Sequence, residues 1–144
     1  MATDFTTFSR HHKKTSPLDC DVKVIHAHLR RVVSTEDNTM VPIPWEGVRL
    51  VRSVAIVTEA VNAVAWEIDL ELNAAGGTEM MTMSVAKSSA VGAIFEASVT
   101  TQSACERLSA KEGTRDAINI ESNAAAGTPT GAVNIYMMFE PEMV

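Results

Sequence analysis

The segment WEIDLELN, residues 66–73, alternates apolar and polar side chains without a break. Successive side chains of a strand point to opposite faces, so Trp66, Ile68, Leu70 and Leu72 fall on one side and Glu67, Asp69, Glu71 and Asn73 on the other. The segment predicts a strand with one dry and one wet face. AAGGT (74–78) supplies the turn that follows, and EMMTMSVA (79–86) predicts the next strand.

The same period recurs toward the C-terminus in DAINIESNAAAGTPTGAVNIYMMFEP, residues 116–141. Ile118 and Ile120 share one face, with Asn119 and Glu121 opposite. In the second run Val133, Ile135, Met137 and Phe139 lie together, and Asn134, Tyr136 and Met138 face the other way. Gly127, Pro129 and Gly131 between the runs suit a reversal. Upstream, VRLVRSVAIVTEAV predicts a long strand over 48–59, and β-branched VKVIHAHLRRVV predicts one over 22–33, covered on both faces or lying at an edge. STEDNT (34–39) reads as a turn. The prolines of VPIPWEG (41–47) make it extended and confine it to an edge or a loop. SSAVGAIFEAS (88–98) is undecided among loop, short strand and helical turn. In SACERLSAKEG (103–113), Ser103 and Glu106 have capping-box spacing and Gly113 could end a helix, yet such a helix would bury little beyond Leu108, which favours strand or loop.

About seven or eight short strands with regular turn signals and no sustained helical period predict an all-β fold. The expected form is an antiparallel β-sandwich with Greek-key or jelly-roll connections. Residues 1–19, rich in Thr, Ser and Asp and closed by Pro17, read as an extended N-terminal arm, and 20–144 as the sandwich domain. The 144 residues suit one domain, which would bury about 68–70% of its unfolded surface. With 46% hydrophobic but only 5% aromatic residues, the core is Val, Ala, Ile, Leu and Met rather than an aromatic-lined pocket.

No apolar run approaches the roughly 20 residues of a membrane-spanning helix, and no secretory leader is evident. Residues 1–31 hold six Lys/Arg against three Asp, a charge of +3; the rest hold six against fifteen acidic residues, a charge of −9. An acidic body with a basic leader argues against nucleic acid and suits a leader that meets something acidic, including the body of a neighbouring copy.

Few residues carry reactive chemistry. His26 and His28 share a strand face, but a tetrahedral metal site needs further ligands, and none has diagnostic spacing, so they read as polar surface residues. Glu67, Asp69 and Glu71 form an acidic stripe that reads as a solvent-facing row or a partner-facing one. Cys20 and Cys105 read as free thiols. One of two methionine sets, Met80 or Met81 with Met83, is expected in the core, because neighbouring strand residues face apart. Trp45, beside Pro44, suits either an exposed anchor or a core position. No catalytic, cofactor or metal residues are expected.

The order of motifs has a family likeness. VPIPWEGVRLV leads into SVAIVTEAV; WEIDLELN ends in AAGG; DAINIESNAAAGTPTGAVNIYMMFEP closes the chain. This order resembles that of the small jelly-roll proteins that decorate or cement the capsids of tailed bacteriophages, over residues 41–140. The resemblance implies a non-enzymatic virion protein on the outer capsid surface, made in the host cytoplasm, bound to the major capsid protein and to itself, with a trimer favoured. Phe5, Phe8, Arg10, Lys13 and Lys14 of the arm, and Trp45, are then the expected interaction residues. Two other readings compete: a head–tail joining or fibre-base component, and a jelly-roll ligand- or carbohydrate-binding module.

Overall fold

A computed structural model of the chain describes residues 2–9, 23–31, 37–110, 115–123 and 127–142. These hold ten strands: β1 (Ala2–Ser9), β2 (Lys23–Arg31), β3 (Asp37–Pro42), β4 (Val48–Glu59), β5 (Trp66–Leu72), β6 (Thr78–Val85), β7 (Ile94–Glu96), β8 (Ser98–Val99), β9 (Ala117–Asn123) and β10 (Gly131–Pro141). They form two five-stranded sheets, ordered β1-β2-β10-β4-β7 and β3-β9-β5-β6-β8. Every pairing is antiparallel.

Without β1 and β8, the sheets read β2-β10-β4-β7 and β3-β9-β5-β6. The chain then changes sheet at every connection but one, the β5–β6 hairpin. Two four-stranded sheets wound in this order make a jelly roll. β8 extends one sheet by two residues. β1 extends the other, pairing from Ala2↔Arg30 to Ser9↔Lys23. Residues 2–9, assigned from sequence to a free arm, therefore belong to the sandwich; the remaining arm residues 10–19 lie outside the described residues. β2 offers an open edge whose backbone groups β1 satisfies, a force that needs no apolar pattern in β1.

Alternation sets the core. Val133, Ile135, Met137 and Phe139 are fully buried, as are Ile25, Ala27 and Leu29 of the neighbouring strand. Ile68, Leu70, Ile118 and Ile120 face them from the second sheet, equally buried, across the roughly 10 Å that separates packed sheets. Each Val, Leu, Ile, Met or Phe among them contributes roughly 1.5–3 kcal/mol through burial.

Three local expectations change. Asp37, Asn38 and Thr39 start β3 and pair with Ser122, Glu121 and Ile120, so the expected turn over 34–39 is shorter than it reads. The 103–113 segment holds a 3-10 turn, Gln102–Cys105, with no side-chain cap. It continues to an isolated bridge between Leu108 and Val48, and Ala104, Cys105 and Leu108 are all buried. Finally, Leu70 pairs with Met81 but Glu71 pairs with Glu79. This β-bulge gives β6 one extra residue, and Met80, Met81 and Met83 all reach the core instead of only one set.

Candidate interaction surface

The second sheet presents its polar face outward in aligned rows. One row runs Met40, Asn119, Glu71, Glu79; the next Asn38, Glu121, Asp69, Thr82, Ser98; the third Asn123, Glu67, Ser84. The acidic stripe of β5 is thus the middle of a wider face carrying five carboxylates: Glu67, Asp69, Glu71, Glu79 and Glu121. None of the five strands in this sheet contains Lys, Arg or His.

Asp69 reports the resulting field. Burial holds its carboxyl above the ordinary carboxylate value; a hydrogen bond from the Thr82 hydroxyl at 2.5 Å partly offsets this, and Glu79, Glu121 and Glu67 add repulsion. Glu71 is only 5% exposed although it faces outward, and Asn119 beside it is fully buried. At one end of the sheet a depression of about 220 Å³ is lined by Ala65, Trp66, Glu67, Ser84 and Asn123. At the other end, Glu46, Gly47, Arg107, Leu108, Ser109 and Glu142 line a cleft of about 400 Å³.

The first sheet has the opposite character. Arg30–Glu59 (3.2 Å), Arg49–Glu140 (3.1 Å) and Arg52–Glu96 (2.8 Å) pair its charges across its strands. His26 stacks on Tyr136, centroids 4.8 Å apart, and His28 Nδ1 donates to Asn134 Oδ1 at 2.7 Å, so both histidines are engaged by β10. Val91, Ile94 and Val99 are 65%, 64% and 47% exposed around the β7–β8 margin.

Of the residues expected from sequence to make contacts, Trp45 is half-buried and packs on the core through Phe139. Phe5 and Phe8 lie in β1, paired with Ala27 and Val24. Arg10, Lys13 and Lys14 lie outside the described residues, as does Cys20. Cys105 is a free, fully buried thiol pushed up to about 11, first by burial and then by Glu106. Among the described residues no group of three or more His, Cys, Asp or Glu is placed to hold a metal, and no helix is long and apolar enough to cross a membrane.

No protein-family model matches the chain, and no curated protein matches its sequence. Similar solved structures include a glycoside hydrolase family 43 arabinoxylan arabinofuranohydrolase from Bacillus subtilis, at 16% identity and a TM-score of 0.41, covering 96% of this chain and 24% of that one. The chain therefore spans about a quarter of that enzyme's length. CsCBM6-3 from Clostridium stercorarium is similar at 14% identity and a TM-score of 0.33, covering 99% and 88% of the two chains. A family 11 carbohydrate-binding module from Clostridium thermocellum is similar at 9% identity and a TM-score of 0.29, covering 100% and 86%.

Proposed function

We propose that this chain is a non-enzymatic adhesion protein of a tailed-phage virion, bound to the outer surface of the capsid shell and to copies of itself. The observation that carries the adhesion reading is the one-signed outer face of the second sheet: five carboxylates on a stiff two-layer scaffold, with no basic residue in its strands. A face of that kind steers and orients a basic protein partner without chemistry. The shell as partner rests on the resemblance of residues 41–140 to jelly-roll decoration proteins. Many copies on one lattice would multiply a weak contact into a durable one.

The test is to add the purified protein to expanded shells that lack it and count bound copies across a salt series. Saturation at a fixed number of sites, with occupancy falling as salt rises from about 0.05 to 0.5 M, is expected, because salt screens contacts of this type. Absence of saturable binding at low salt refutes the reading.

One observation favours a second reading. The depression lined by Trp66 and Ala65 and bordered by the polar side chains of Glu67, Ser84 and Asn123 would suit a small hydroxylated ligand, making the chain a ligand- or carbohydrate-binding module. A glycan array separates the two, since only this second reading expects a hit that Glu67→Ala abolishes.

A further inference from the structure

The chain crosses from one sheet to the other along residues 94–99, where β7 ends the first sheet and β8 the second. β7 pairs with β4 on one side only. The backbone N–H of Val57 donates to the Ala93 carbonyl, and that of Ala97 to the Ser53 carbonyl, both at 2.9 Å. In an antiparallel ladder such bonds recur at every second residue, so Phe95 exchanges its bonds with Ala55, its register partner. The N–H and C=O groups of Ile94 and Glu96 then point away from β4. None of them meets another backbone group among the described residues.

This margin is apolar and nearly free of charge. Between Lys87 and Glu106 the only charged residue is Glu96, and Arg52 pairs with it at 2.8 Å. Val91, Ile94 and Val99, all exposed, gather here. Phe95 and Val99 stand opposite the buried Ala55 and Met81, so both face the core side, yet neither is fully covered. Open edges are commonly blunted by charge or proline. β3, an edge of the second sheet, carries Asp37 and Pro42, whereas β7 has no proline and no unpaired charge.

Symmetry and charge identify the occupant. Half a turn about an axis normal to the sheet at Phe95 brings Ile94 opposite Glu96 of a second copy, and Glu96 opposite its Ile94. Each such pair can exchange both backbone bonds, because the outward groups belong to those residues, and all the side chains keep their face. Each copy carries a charge of −6, so two copies repel over most of their surface. They meet most favourably where the one acid is already neutralised. A basic partner would gain nothing at a margin without free charge.

We propose that β7 is a self-association edge, through which two copies join into one continuous antiparallel sheet about a two-fold axis. This deepens the part of the proposed function in which the chain binds copies of itself, and rests on that part alone. A contact of this kind closes as a dimer, not as the trimer that the family resemblance favours.

Sedimentation equilibrium of the full chain without shells tests the dimer, so its outcome is separable from capsid binding. Dimerisation should tighten a few-fold as salt rises from about 0.05 to 0.5 M, because screening relieves like-charge repulsion; shell binding should fall over the same range. Ile94→Lys should weaken the dimer at least about tenfold, since an edge lysine blocks such pairing. Met40→Lys, an equal change of charge at an exposed position of the second sheet, should not weaken it. Amide hydrogen exchange of the ¹⁵N-labelled chain reads the edge directly. Ile94 and Glu96 should gain protection only at concentrations where the dimer forms, while Phe95 is protected throughout. A chain that stays monomeric overturns the proposal and leaves the edge to water or to a strand of another protein. So does a trimer, or a dimer that Ile94→Lys leaves unchanged or Met40→Lys weakens as much. A dimer in which the Ile94 and Glu96 amides exchange freely overturns it as well.

Discussion

Trp45 lies against Phe139 with ring centroids 5.5 Å apart and planes tilted by 54°, and the Lys23 ammonium sits 5.8 Å from the Trp45 ring. Phe139 is fully buried, so the indole seals one end of the core. Trp45→Ala should therefore cost about 2–4 kcal/mol, from lost burial together with the aromatic contact. Urea denaturation measures this; a loss below about 0.5 kcal/mol would mean that the ring is surplus to folding and free for a partner.

The bulge at Met80 predicts an unusual cost for a strand position. Met80→Ala and Met81→Ala should each destabilise by roughly 2–5 kcal/mol, because both side chains occupy the core. In a regular strand one of the two would be nearly neutral. Thermal melts of the pair decide between the bulged and regular registers.

Gly77, in the turn between β5 and β6, has no room for a side chain. A Cβ there would lie 2.3 Å from the Leu72 carbonyl oxygen and 2.9 Å from that of Ala74. Both obstacles are backbone, so Gly77→Ala should cost more than about 1 kcal/mol. Gly76, at φ +73° with nothing within 4 Å of a Cβ, should lose less from steric overlap and more from its left-handed backbone. Equal and negligible effects in both would rule out this turn.

Asp69 predicts a pH dependence of definite sign. The pKa of its carboxyl is raised in the folded chain above the ordinary value of 3.8, so the folded state favours the protonated form. The resulting penalty is absent below the unfolded value, grows as pH climbs through the folded one, and is complete at neutral pH. Asp69→Asn retains an acceptor for Thr82 and removes the charge. It should melt higher than wild type at pH 7, with the gap closing toward pH 3. A gap that widens on acidification contradicts the repulsive field.

Much of this arrangement was legible as alternation. Val133, Ile135, Met137 and Phe139 sit where their two-residue period places them, and so do Trp66, Ile68 and Leu70. Leu72 keeps to the core side, half-buried, whereas Glu71 faces outward as its period places it and is nonetheless only 5% exposed, which alternation does not announce. β1 was illegible because its place depends on the open edge of β2 rather than on apolar content of its own. The acidic face was half legible. Glu67, Asp69 and Glu71 stand out in one strand, but Glu121 joins them only because β9 pairs with β5, and no local pattern announces a neighbour some fifty positions away. Asn119 carries the least signal, a polar residue at an outward position that the finished sheet nonetheless buries.

The adhesion account turns most directly on abundance in the assembled particle. On the proposed capsid reading, quantitative mass spectrometry of purified tailed-phage virions whose genome carries this sequence should find on the order of hundreds of copies per particle, the number that repetition over a shell lattice requires. A count in the tens or fewer, or absence from the particle, would contradict it.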